Sequence, residues 1–252
     1  MANYETKEQQ RGWQGGGTGF QTTHWTEIRR AADPARPESV AALAAVCSAY
    51  WYPAYAYVRG CGYSPEDAQD LTQGFFLGWI EREFLSAADA TRGRFRWFLL
   101  AALQNFLRNE IVRSRALKRG GGVALLSWDS MEAEQRYAAE PVEASTPDLI
   151  FDRSWARVIL SRALERLGRE FTSSSRAVVF EHLKSCLEGS VAPQAYEEIG
   201  ARLGLSPVAV KVAVHRLRER FRQLIRLEIE QTVAEPSDVE DEFRHLVHLI
   251  AG

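Results

Sequence analysis

Residues 196–226 read YEEIGARLGLSPVAVKVAVHRLRERFRQLIR, two helical segments with a single glycine between them. Its first part carries Ile199 and Leu203 on one helical side and stops at Gly204, which suits the left-handed backbone of a sharp turn. Leu205 is placed to plug the corner. Ser206 offers a hydroxyl to cap free amides, and Pro207 at a first helical position loses no hydrogen bond. Beyond it Val210, Val214, Leu217, Phe221 and Leu224 recur at three- and four-residue steps and make one buried stripe. The other face carries Val208, Lys211, Val212, His215, Arg216 and Glu219, with Arg218, Arg220, Arg222 and Arg226 flanking it or following. A DNA-binding helix-turn-helix and an antiparallel helix pair with a solvated basic side both fit. Glycine, cap, stripe and charge agree in favour of the first.

Working outward, the 252 residues suffice for one or two domains with real cores. A hydrophobic share of 46% and a charged share of 25% describe a soluble globular chain. The net charge of −2 does not advertise nucleic acid, but its distribution does. Positive charge collects in 92–119 and 211–226, whereas 129–148 and 228–242 are acidic. Two basic segments point to two DNA-contacting modules. Cys47, Cys61 and Cys186 are odd in number and lack a CxxC spacing, so reduced thiols and a cytoplasmic setting are expected. His182 and Cys186 lack a second ligand pair nearby, and neither a metal nor a cofactor is expected. The uncharged run 40–58 holds Ser48, Pro53 and four tyrosines, and reads as a buried core helix rather than a membrane span.

In order, 1–22 is a polar, glycine-rich leader, and Trp25 and Ile28 open a short helix. Long helices follow over 39–59, 64–84 and 95–117, the second announced by Ser64-Pro65-Glu66-Asp67. Residues 123–146 form an acidic linker, with room for one short helix. Thr146-Pro147-Asp148 restarts the chain, giving helices over 150–170 and 176–187 before the helix-turn-helix. No period-two strand pattern occurs. The expectation is an all-α protein with two helical domains, 23–122 and 147–228, and an extension at 229–252.

Two faces of the front half exceed what packing needs. On 64–84, Ala68, Leu71, Phe75 and Trp79 point inward, and Glu66, Asp70, Gln73, Gly74, Leu77 and Glu81 form an outward stripe that invites a protein partner. On 95–117, Phe95, Phe98, Leu99, Ala102, Leu103 and Phe106 face the core. The reverse side offers Arg94, Trp97, Gln104, Asn105, Arg108 and Asn109, which fits nucleic-acid contact, with Trp97 either stacking on an unpaired base or packing as core.

The segments DAQDLTQGFF (67–76) and GRFRWFLLAALQNFLRNE (93–110), followed by the helix-turn-helix, resemble a bacterial RNA polymerase sigma factor of the extracytoplasmic-function class, in a longer-tailed form. The resemblance runs in order from about Ala44 to Arg226. It implies a transcription initiation factor whose partners are core RNA polymerase and promoter DNA. By that resemblance Asp67, Asp70, Gln73 and Leu77 bind polymerase. Arg94, Trp97, Gln104, Asn105, Arg108, Asn109 and Arg113 form the −10 surface, with the loop 86–94 holding a flipped base. Ser206, Val208, Lys211, Val212 and His215 lie nearest the −35 bases, and Arg216, Arg218 and Arg220 hold phosphates. The family pattern has an acidic residue after the glutamine where this chain has Gly74, which implies a weaker or differently regulated polymerase contact. Thr72, beside that gap, reads first as a helix threonine packed at the domain boundary and second as the target of a kinase; an anti-sigma factor is a partner the chain itself neither shows nor excludes.

A stand-alone regulator, with a helical sensor domain on a helix-turn-helix, is the competing function. It needs no polymerase-binding stripe. An enzyme is not supported: no phosphate loop follows a strand and no nucleophile is placed beside a base. In the extension, Val239, Phe243, Leu246, Val247 and Ile250 lie mostly along one side of a short helix, which must dock to be stable. It either screens part of 211–226 or completes the rear core.

Overall fold

The computed structural model describes residues 39–80, 93–116, 130–139, 145–171, 174–187 and 192–251. The expected leader, the helix at Trp25, Glu81, residues 86–92 of the loop and the glycines at 120–122 lie outside the described residues. Among the described residues there are nine α-helices and no strand, so the fold is all-α.

The hub is α1 (Ser39–Gly60), whose side chains from Val46 to Val58 are all buried except Ser48. A helix apolar around its whole circumference must be covered on every side. The covering elements are α2 (Pro65–Ile80), α4 (Ser130–Ala139) and α5 (Pro147–Glu170). Among the described residues no helix is long and apolar enough to cross a membrane. At the start of α2 the Ser64 hydroxyl accepts the Asp67 N–H at 3.1 Å and donates to its carboxylate at 2.8 Å, which closes the cap expected from the sequence. The helix then buries Ala68, Thr72, Phe75, Phe76 and Trp79. Against it lies α3 (Phe95–Ala116), with Trp79 edge-on to Phe95 at 6.1 Å and to Phe98 at 5.8 Å.

The acidic linker is partly built into this core. Glu134 of α4 accepts both Arg59 Nε and NH2 at 2.9 Å and the Tyr55 hydroxyl at 2.5 Å, while Arg136 stacks over Tyr52 at 3.8 Å. Thr146 caps α5 by accepting the Leu149 N–H at 3.3 Å. Ile150, Phe151, Trp155 and Ile159 then extend the core that α1 begins, and Phe151 meets Tyr57 edge-on at 6.4 Å. The expected boundary at residue 147 therefore lies inside a core shared by both halves.

The rear half continues through α6 (Ser174–Leu183), a 3-10 turn at Lys184–Cys186, α7 (Pro193–Leu203) and α8 (Pro207–Glu230). The chain ends in a second 3-10 turn at Pro236–Asp238 and α9 (Val239–Ala251), which packs on both α8 and α5. Leu246 and Leu249 are the aliphatic residues that α9 buries, whereas Val247 and Ile250 are exposed. The inward side expected for the extension is thus rotated, because the helix docks through Glu242 as well as through its apolar residues.

Candidate nucleic-acid interface

The helix-turn-helix depends on two glycines. Gly204 takes φ of 67°, the left-handed conformation that ends α7. The N–H of Leu205 returns to the Gly200 carbonyl at 2.9 Å, and a Cβ on Gly200 would lie 2.6 Å from the Leu205 oxygen. The sequence placed Leu205 in the corner, but it is 40% exposed: backbone pressed onto Gly200 closes the turn instead. Ser206 accepts the Ala209 N–H at 3.2 Å and starts α8. The stripe forms as expected, with Val210, Val214, Leu217 and Leu224 buried and Phe221 half-buried. That pins the opposite face outward. Val208 is 73% exposed and Val212 45%, beside exposed Ser206, Lys211, His215 and Arg216. The pattern mixes apolar, donor and cationic groups, which is what contact with base edges and phosphates requires.

Arg218 and Arg220, both assigned to phosphates, are committed elsewhere. Arg218 donates Nε to the Cys186 carbonyl at 2.7 Å, and Arg220 grips Glu170 of α5 at 2.6 and 2.9 Å. The Glu170 carboxylate raises the pKa of Arg220 above the ordinary value, against a smaller opposing effect of burial. Helical spacing put these arginines beside the reading face, and the carboxylate and carbonyl of neighbouring elements draw them away. Arg216 remains on the open side, where with His215, Glu219, Arg220 and Gln223 it lines a hollow of about 350 Å³.

On α3 the second face divides. Trp97 is 51% exposed, and Asn105, Arg108 and Asn109 are exposed in line with it, so the tryptophan is not core. Arg94 lies over the Trp97 ring at 4.6 Å and pairs through NH1 with Glu242 at 2.7 Å. Gln104 donates to Asp148 of α5 at 3.0 Å. The backbone of Arg113 is on α3, and its side chain lies outside the described residues. Sequence reasoning passed over Arg96, which is 2% exposed. It joins three helices, donating Nε to Glu242 at 2.8 Å and NH1 to Asp152, and it stacks over Trp155 at 5.1 Å. Burial works against its charge, but the two carboxylates prevail and hold its pKa above the ordinary value. The available signal was its helical register with Leu99, Leu103 and Leu107, all buried.

On α2, Asp67 and Asp70 are exposed, while Gln73 and Leu77 are half-buried. A Cβ on Gly74 would touch the Phe106 ring at 3.4 Å, so this position faces α3 rather than the open stripe. No family model matches the sequence, and no solved structure matches the chain. The chain is similar to the ECF RNA polymerase sigma factor SigE of Mycolicibacterium smegmatis, 30% identical over 160 residues, which are 63% of this chain and 52% of that protein. That similarity supports the ECF sigma-factor family. The chain spans about half the length of this curated relative.

Of the two readings of Thr72, the packed one holds. Thr72 is fully buried and its hydroxyl donates to the Ala68 carbonyl at 2.7 Å, so a kinase has no access to it in this fold. Phosphate there would be forced among Phe75, Phe76 and Trp79 of the same helix.

Proposed function

We propose that this protein is a transcription initiation factor that binds bacterial core RNA polymerase and directs it to promoters. Its exposed α8 face, centred on Val208, Lys211, Val212, His215 and Arg216, is the observation that carries the reading. That face enters the major groove of the −35 element, with the two valines against apolar base edges and Lys211 and His215 as donors. Arg216 takes phosphate. The α3 face with Trp97, Asn105, Arg108 and Asn109 contacts the melted −10 strand, where an exposed tryptophan offers a stacking platform. Asp67, Asp70, Gln73 and Leu77 meet the polymerase, in a cytoplasmic setting.

The test is reconstitution. Purified chain added to core polymerase and promoter templates is expected to yield promoter-specific transcripts, and Asp70→Arg with Gln73→Ala is expected to abolish polymerase retention while the fold persists. The stand-alone regulator keeps one observation on its side, the core shared between the halves. It predicts duplex binding without polymerase, no specific transcripts from core polymerase, and indifference to the Asp70 and Gln73 changes.

A further inference from the structure

The sequence places the extension either over residues 211–226 or in the rear core, and the structure shows part of each: Glu240 pairs with Arg226 at the far end of that run, and Leu246 and Leu249 are buried. Lys211, His215 and Arg216 stay exposed. The carboxylates at the start of α9 go to arginines at the start of α3 and near the end of α8. Glu242 takes Arg94 and Arg96 at 2.7 and 2.8 Å, Asp241 lies 3.7 Å from Arg94, and Glu240 takes Arg226 at 3.0 Å. A backbone bond reinforces the link, the Phe95 N–H donating to the Thr232 carbonyl at 2.9 Å near the start of the extension. Arg94 is the first residue of the α3 face, and the same guanidinium lies over the exposed Trp97 ring. Three carboxylates therefore occupy cationic groups whose alternative ligand is phosphate, one of them against the aromatic platform.

We propose that the acidic start of α9 is a removable cover, in which Glu240, Asp241 and Glu242 stand in for DNA phosphates at Arg94 and Arg226. This deepens the function proposed above and rests on its assignment of α3 to single-stranded DNA. Displacing α9 frees the Arg94 guanidinium, which lies over one side of the exposed Trp97 ring, to meet a phosphate beside a stacked base. The contacts are graded for that. The Glu240–Arg226 and Asp241–Arg94 pairs involve exposed carboxylates and hold weakly, whereas Glu242 is fully buried and sets the closed position.

The experiment compares full-length wild type with Glu240→Gln/Asp241→Asn and with Glu242→Gln, titrated with a fluorescein-labelled single-stranded oligonucleotide over a range of salt. Both variants are expected to bind several-fold tighter, with a salt slope steeper by about 0.7 for each arginine released. A control, Glu132→Gln/Glu165→Gln, removes two other exposed carboxylates and the same formal charge. An equal gain in the control, or unchanged affinity and slope in the Glu240/Asp241 variant, overturns the inference. Should Glu242→Gln fail to fold, the Glu240/Asp241 variant decides alone, since its groups are exposed. Retention on core polymerase separates the two proposals. Retention without a DNA gain removes the cover and leaves the initiation factor; a DNA gain without retention does the reverse.

Discussion

Replacing Arg96 with Met should be among the most damaging single changes in this protein. The guanidinium is fully enclosed, and it bridges Glu242 of α9 and Asp152 of α5 from the start of α3. Methionine keeps the length and removes the charge. Glu242, fully buried, then retains Arg94 at 2.7 Å as its ion-pair partner, and Asp152 retains His245 at 3.2 Å. Breaking one side of a buried ion pair costs about 3–5 kcal/mol. The surviving Arg94 contact offsets part of that, so we expect a loss of about 3 kcal/mol. For a chain of this size each kcal/mol lowers Tm by about 2–4 °C, giving a drop of about 6–12 °C by circular dichroism. Arg96→Lys should recover only part of it, because an ammonium cannot bridge two carboxylates with planar geometry. Arg96→Met with Glu242→Met should be more stable than the single variant, since it removes the fully buried carboxylate along with its guanidinium, while Asp152 keeps His245 and Arg94 keeps Asp241. A Tm within about 2 °C of wild type for the single variant, or no recovery in the double, would refute this account of the three-helix junction.

Gly200→Ala should open the helix-turn-helix, because its Cβ would sit 2.6 Å from the Leu205 carbonyl oxygen; we expect about 2 kcal/mol of destabilisation and weakened duplex binding. Intact melting and DNA affinity would show that the turn has slack. Glu134 holds α4 to α1, and its Arg59 hydrogen bonds, against the opposing effect of burial, keep its carboxyl below the ordinary value. Its folded pKa is thus lower than its unfolded one, so the stabilisation is present above the unfolded value of about 4.3 and is lost as pH falls through the folded value. Glu134→Gln should accordingly lower stability by about 1 kcal/mol at neutral pH, the figure reduced for partial exposure, and the gap to wild type should close in acid. A gap that does not change with pH would assign the effect to packing. Thr72→Glu should fail to fold or melt well below wild type, whereas Thr72→Val should lose only about 1 kcal/mol with the hydroxyl's hydrogen bond. A Thr72→Glu protein that melts like wild type would reopen the site to modification.

Much of the molecule was legible in the chain because the deciding interactions are local. Ser64, Thr146 and Ser206 each cap a helix that starts at the next residue, and each hydroxyl reaches an amide only three residues on. The α8 stripe follows from helical period alone, and with it the outward placement of Val208, Lys211, Val212, His215 and Arg216. Gly204 announced its turn because few other residues hold a positive φ there without strain. Gly200 looked like an ordinary helical residue, since the carbonyl that forbids its Cβ belongs to a residue beyond the turn.

The commitments of the arginines were decided by the tertiary structure. A guanidinium at the end of a long flexible stem finds whichever carboxylate packing brings near, and the pattern of its own helix does not name that partner. Arg220 reaches Glu170 across 50 positions and Arg96 reaches Glu242 across 146. Helical period placed Arg94, Arg218 and Arg220 on or beside a DNA face, and the helices that pack beside them turned each toward a protein acceptor. The same holds for the extension. Its helix could be read from local pattern, but its mate on α3 followed only from α5 packing against α1, which brings α9 beside the start of α3 and fixes what the acidic residues can touch.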